Sequence, residues 1–276
     1  MTYRIMRILA LSILGASIIA LAFPTLYFSV SEGTKLAIEK ESAQLVSGSK
    51  VPYRSFIQVL HATYINVGEC MSDDIFCPVV KKTIVTKSKG SGVILGYRGG
   101  YTYVVSAQHV CQHRKARGAL IGKFAYEYDY DETIHIVTFE GDVVRAIVVS
   151  SDTNTDLCLL SFPGKAGETV SVRYNEINIG DSITNVGAPL GIFTPGMALT
   201  FDGRYSGSDG LGNSYFSFPG APGSSGSPII DSKGKLVSIV HSAHTEFSHL
   251  AIGCTQASLH SFLYKNREYV GFLMND

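Results

Sequence analysis

Three residues in this 276-residue chain could share one piece of chemistry: His109, Asp156 and Ser225, the last in the loop Gly223-Ser224-Ser225-Gly226-Ser227-Pro228. A serine hydroxyl is a weak nucleophile until a base takes its proton, and neutral imidazole suits that task near pH 7. The imidazole in turn needs a carboxylate to orient it and to stabilise its protonated form. Glycines in the serine loop free successive backbone N–H groups to converge on one point, where they could hold the oxygen of an attacked carbonyl. Taken alone, the stretch reads more readily as a flexible Gly/Ser surface loop, which is what short Gly/Ser stretches usually are. Its neighbours decide.

The elements that must position these residues are strands. Valine and isoleucine dominate short runs separated by turn residues, glycine is abundant (28 residues), and the pattern is that of an all-β protein. Residues 90–97 and 101–106, joined by Arg98-Gly99-Gly100, form a hairpin that delivers the chain to Ala107-Gln108-His109-Val110. Asp156 opens the apolar strand Leu157-Cys158-Leu159-Leu160, where a carboxylate is costly to bury without a partner. The serine loop follows Phe218-Pro219-Gly220-Ala221-Pro222, hostile to helix and sheet alike, and precedes the apolar run Leu236-Val237-Ser238-Ile239-Val240. Turn formers at 163–169 separate two β units, read as 54–165 with His109 and Asp156 and 166–254 with Ser225. Residues 255–276 end the chain with a short amphipathic helix: Thr255 or Ser258 can cap it, and Leu259, Phe262 and Leu263 recur at helical spacing.

Residues 1–30 differ in kind. Arg4 and Arg7 precede an uncharged stretch, 8–30, long enough to cross a bilayer of about 30 Å as a helix. The arginines place its start in the cytoplasm and the body of the protein outside. The apolar run continues to Tyr27, Phe28 and Val30, which favours an uncleaved membrane anchor; Ala20-Leu21-Ala22 leaves open a cleaved signal peptide and a secreted or periplasmic product. Residues 31–53 are polar and form a linker. Cys70 and Cys77 flank a short loop, and in an exported protein a disulfide between them is plausible. Cys158 reads as a small core residue. Cys111 and His113 lack a second ligand pair at suitable spacing, so no metal is expected. With zero net charge and 17% charged residues there is no basic surplus to hold a phosphate backbone, and nucleic acid is not an expected partner.

With these pieces in place the chain resembles the trypsin-like serine proteases of the chymotrypsin-like fold, in particular the compact bacterial branch that includes Deg/HtrA proteases and glutamyl endopeptidases. The resemblance rests on Gly90-Ser91-Gly92-Val93-Ile94, Ser106-Ala107-Gln108-His109-Val110, Thr155-Asp156-Leu157-Cys158-Leu159-Leu160, Asn185-Val186-Gly187-Ala188-Pro189-Leu190-Gly191 and Gly223-Ser224-Ser225-Gly226-Ser227-Pro228, in family order over roughly 54–265. It implies two six-stranded antiparallel barrels with the active site between them, no cofactor, and a protein or peptide substrate. It places the nucleophile at Ser225 rather than Ser224 or Ser227, and the oxyanion-hole N–H groups at Gly223 and Ser225. Gln108 stands where a small residue is usual, and it is expected to be tolerated if its amide points to solvent. Ser224 replaces an aspartate used in pancreatic-type zymogen activation, so activation of that kind is not expected. The segment after the second unit is too short for a PDZ domain, and a full Deg/HtrA arrangement is not expected either.

By the same resemblance the primary substrate pocket comes from Pro219-Gly220-Ala221-Pro222 and from Val240-His241-Ser242-Ala243. Neither holds a carboxylate to compensate a buried lysine or arginine. His241 could hold a Glu or Gln side chain, but it falls one place late for that role unless a bulge intervenes; otherwise it packs near Asp156 or faces solvent. Ala221 and Ala243 suggest a small apolar preference as the alternative. Two further functions compete with a serine endopeptidase. One is a catalytically silent protease-like binding module, although no triad member is missing. The other is a serine-dependent ester hydrolase, although the G-x-S-x-G elbow is absent.

Overall fold

The computed structural model describes residues 51–70, 79–112 and 125–271. Twelve strands make two closed antiparallel barrels. The first is built from β1 (Phe56–Cys70), β2 (Val79–Arg98), β3 (Tyr101–Ala107), β4 (Ala125–Thr138), β5 (Val143–Asp152) and β6 (Leu157–Pro163), in the order β1-β2-β3-β6-β5-β4. The second uses β7 (Ser182–Gly187), β8 (Leu199–Ser208), β9 (Asn213–Phe216), β10 (Pro228–Asp231), β11 (Leu236–Ala243) and β12 (Ala251–Cys254), in the order β10-β11-β12-β9-β8-β7. A one-turn helix, α1 (Gln108–Cys111), follows β3, and α2 (Gln256–Lys265) and α3 (Arg267–Val270) follow β12. The expected pair of six-stranded barrels and the C-terminal helix are thus present. Thr255 caps α2, its Oγ1 accepting the Ser258 N–H at 3.1 Å.

The apolar strands lack alternation because both of their faces are covered. Ile94, Val104 and Leu160 point into the first barrel with Ile57, Val59 and Ile136. Their neighbours Val93, Leu95, Val105, Leu157 and Leu159 point outward. There they meet Ile230, Leu236 and Ile239 of the second barrel and Leu259, Phe262 and Leu263 of α2. Each such side chain contributes about 1.5–3 kcal/mol on burial, so the apolar surface that fills the barrels also fixes them against each other. Phe216, Phe218, Ile229 and Val240 fill the second barrel.

One sequence expectation changes here, and one condition set by the sequence is not met. Cys158 is fully buried, but it is not a lone core residue: it forms a disulfide with Cys111, 47 positions earlier, with Cα atoms 6.6 Å apart. Pairing of β3 with β6 sets Ala107 opposite Leu157, and α1 then folds Cys111 back over β6. Gln108 does not face solvent. It is buried, and its Nε2 donates to Gln112 Oε1 at 3.0 Å across the single turn of α1. Cys254 is free and buried, and burial pushes its thiol up from the ordinary value. The Cys70–Cys77 pairing, the linker and the apolar stretch at 1–30 lie outside what the structure describes. Among the described residues no helix is long and apolar enough to cross a membrane.

Candidate active site

His109 sits in α1 immediately after β3, and Asp156 closes the turn that leads into β6. Because β3 and β6 are paired neighbours, the two residues meet at the same end of the first barrel. Asp156 has φ 50°, a left-handed backbone that aspartate tolerates better than most residues. That turn aims three acceptors at α1. Asp156 O accepts the Gln108 N–H at 2.9 Å, Oδ1 accepts the His109 N–H at 3.0 Å, and Oδ2 lies 2.7 Å from His109 Nδ1. The partner demanded by a carboxylate at the head of an apolar strand is therefore His109. A carboxylate can only accept, so Nδ1 carries a proton, and in the neutral ring Nε2 is then the nitrogen with the lone pair. The Cys111–Cys158 disulfide lies two residues beyond each of them and ties the same two segments covalently.

The three serines of the loop 223–228 have separate fates. Ser227 is fully buried, and its Oγ accepts from Asn185 Nδ2 at 2.7 Å. Ser224 is buried at 2% exposure. Ser225 is half-buried, and its Oγ reaches only the His241 carbonyl, at a long 3.5 Å. It is the serine with an available hydroxyl. Among the backbone N–H groups of this loop, those of Ser224, Gly226 and Ser227 donate to Ala221 O, Val240 O and Ser224 O. Those of Gly223 and Ser225 have no acceptor among the described residues, which is the condition for a pair of donors awaiting an oxyanion. Gly223 has φ 95°, and a Cβ on it would lie 2.5 Å from Ala188 O, so glycine is required for conformation and for space.

Of the residues expected to form the substrate pocket, Ala221, Ser242 and Ala243 line a cavity of about 370 Å³ beside Ser225, together with Gly220, Pro222, Ser224 and Val240. His244, Thr245 and Ser248 complete it; sequence reasoning missed them because they follow the strand rather than belong to it. Pro219 and His241 are not among the residues that line the cavity. A bulge does occur in β11 between Val240 and Ser242. The His241 ring nevertheless feels the Asp156 carboxylate, and its Nδ1 is 3.0 Å from Ser242 Oγ. Burial lowers the His241 pKa from the ordinary imidazole value, with the Asp156 charge pulling the other way, so the ring is neutral at pH 7. A larger depression of about 580 Å³ lies beside Arg173, Asp181, Asp231 and Lys233 in the second barrel. It holds none of the residues above, and Arg173 is already paired with Asp181 and Asp231.

Comparison with known proteins agrees with this geometry. Residues 90–239, which contain His109, Asp156 and Ser225, match the family described as trypsin-like peptidase domain. The chain belongs to the trypsin-like peptidase family. This trypsin-like peptidase is 27% identical over 164 residues to the serine protease Do-like HtrA of Lactobacillus helveticus, covering 56% of the chain and 35% of that relative. The curated relatives it matches are much longer; the chain spans 18–35% of their lengths. Among solved structures, the HtrA-type protease AlgW with decapeptide superposes with TM-score 0.57 at 19% identity, covering 83% of this chain and 68% of that one. The serine endoprotease from Yersinia pestis gives TM-score 0.55 at 17% identity, covering 81% and 65%. These structures share the fold.

Proposed function

We propose that this trypsin-like peptidase is a serine endopeptidase working through His109, Asp156 and Ser225. Ser225 Oγ turns from the His241 carbonyl toward His109 Nε2, gives up its proton there and attacks the scissile carbonyl carbon. The resulting imidazolium is stabilised by Asp156 Oδ2, and the tetrahedral oxyanion by the N–H groups of Gly223 and Ser225. His109 then protonates the leaving amine, and water, deprotonated by the same imidazole, hydrolyses the acyl-enzyme. The observation that carries this reading is the pair of uncommitted N–H groups beside the one accessible serine hydroxyl, in a loop whose other backbone N–H groups are all engaged.

The cavity beside Ser225 offers small, hydroxyl and imidazole side chains and no carboxylate. Burying an unpaired ammonium or guanidinium there is strongly unfavourable. In a peptide library read by mass spectrometry, kcat/KM after Lys or Arg is therefore expected to be lower by about tenfold or more than after small uncharged residues, since each 1.4 kcal/mol is a factor of ten. Preferred cleavage after Lys or Arg contradicts the pocket assignment. Cleavage of ester substrates with no peptide cleaved contradicts the endopeptidase and favours the ester hydrolase.

We further propose that residues 1–30 carry the protein out of the cytoplasm and hold it at the membrane. Arg4 and Arg7 before the uncharged run support this, as does the Cys111–Cys158 disulfide, which belongs to an oxidising compartment. Fractionation with protease protection is expected to find the protein in membranes with its barrels outside. A mature N-terminus at Phe23 would show cleavage instead of anchoring, and a soluble cytosolic pool would contradict export.

A further inference from the structure

From the geometry we infer that Ser91, in the first barrel, is a positioning residue for the oxyanion hole in the second; the inference rests on the endopeptidase reading above. Ser91 lies in β2, is 0% exposed, and uses every hydrogen-bonding group it has on the neighbourhood of Ser225. Its N–H donates to Ser225 O at 2.8 Å, and its carbonyl accepts Ser106 Oγ at 2.7 Å. Its Oγ donates to Gly223 O at 2.8 Å while accepting the Ala188 N–H at 3.2 Å. One hydroxyl thus joins β2 to two loops of the second barrel. The flanking glycines permit the approach: a Cβ on Gly90 would meet Val110 at 2.5 Å, with Ser225 O at 3.1 Å.

The consequence follows from peptide planarity. In a trans peptide the C=O and N–H point in opposite directions, so fixing a carbonyl fixes the N–H across the same plane. Leu190 N–H holds Pro222 O at 2.6 Å, which sets the Gly223 N–H. Ser227 N–H holds Ser224 O at 2.9 Å, which sets the Ser225 N–H. Between them lies the Gly223–Ser224 plane, and its carbonyl is held by Ser91 Oγ. Glycine at 223 makes rotation of the adjoining planes cheap, because positive and negative φ are open to it alike. Without the Ser91 hydroxyl the middle plane keeps only the Ser224 N–H bond to Ala221 O at 2.9 Å, and with one of its two anchors gone the two donors are held less firmly at their angle to each other.

The test uses purified wild type, Ser91→Ala, Ser91→Thr and Ser91→Cys, assayed with a peptide substrate, a peptidyl aldehyde and a fluorophosphonate. Loss of one oxyanion donor costs about 100- to 1,000-fold. Loosening both is expected to lower kcat of Ser91→Ala by about 10- to 100-fold, with KM within threefold and aldehyde affinity reduced in step with kcat. Ser91→Thr keeps the hydroxyl and is expected to retain most activity, although it adds more bulk than alanine removes. A role in packing alone predicts the opposite order. Ser91→Cys keeps the volume with a weak donor, and carries the same expectation as alanine if Ser91→Ala does not fold. The inference is overturned if a folded Ser91→Ala or Ser91→Cys has kcat within twofold of wild type, if the loss appears in KM alone, or if threonine is as damaging as alanine. A wild-type protein that neither reacts with the fluorophosphonate nor cleaves peptide overturns the endopeptidase reading instead, and this inference with it.

Discussion

Ser225→Ala is expected to abolish peptide hydrolysis, with kcat falling by about 10⁴-fold or more, while the fold is kept. The size of the effect follows from there being no substitute. Ser227 Oγ is engaged with Asn185 inside the barrel, and Ser224 is buried, so neither can take over attack. The fold survives because Ser225 Oγ contributes only a long contact to the His241 carbonyl; the loop is held by backbone bonds and by Ser91. His109→Ala is expected to match it, since nucleophile and base act as one unit and removing either removes the step. Initial rates on a peptide substrate, alongside circular dichroism of the variants, check both. Retained hydrolysis in Ser225→Ala, with Ser224→Ala or Ser227→Ala inactive, would move the nucleophile to one of those positions.

Asp156→Asn is the second large effect, expected at about 10⁴-fold in kcat near neutral pH. Here the direction can be derived from the geometry. Asp156 Oδ1 accepts the His109 backbone N–H, a donor that cannot change its role. An asparagine at 156 will place its carbonyl oxygen there and so present its NH₂ group to His109 Nδ1. That nitrogen must then accept, the ring proton moves to Nε2, and the base has no lone pair facing Ser225. The backbone contact is preserved, so stability should change little. Nitrogen-15 chemical shifts of the His109 ring are expected to report the swapped tautomer. Activity within tenfold of wild type, or an unchanged tautomer, contradicts the orienting role.

Much of this site was legible in the sequence because each of its members stands at a strand end among turn formers. His109 follows an apolar hairpin strand, Asp156 closes a Ser/Asp/Thr/Asn turn, and Ser225 lies in a Gly/Ser loop; strand pairing brings the first two together, and contacts between the barrels set the Ser225 loop against β2. What stayed hidden depended on contacts with no local signature. Cys158 looked like any small residue in an apolar strand, and only the fold of α1 over β6 brings Cys111 to it. Gln108 was expected to be tolerated with its amide in solvent, but the single helical turn buries the residue and pairs it with Gln112. The bulge at His241 has no marker such as glycine, and His241 does not line the cavity. Ser91 read as part of a Gly-Ser-Gly strand, since its partners Ala188 and Gly223 are 97 and 132 positions away.

The measurement that bears most directly on the central claim is active-site labelling. The protein is treated with a fluorophosphonate, digested, and mapped by mass spectrometry, with Ser225→Ala and His109→Ala carried in parallel. One adduct is expected, on Ser225, absent from Ser225→Ala and strongly slowed in His109→Ala. No adduct on folded wild type, an adduct on another serine, or labelling undiminished in His109→Ala would contradict it.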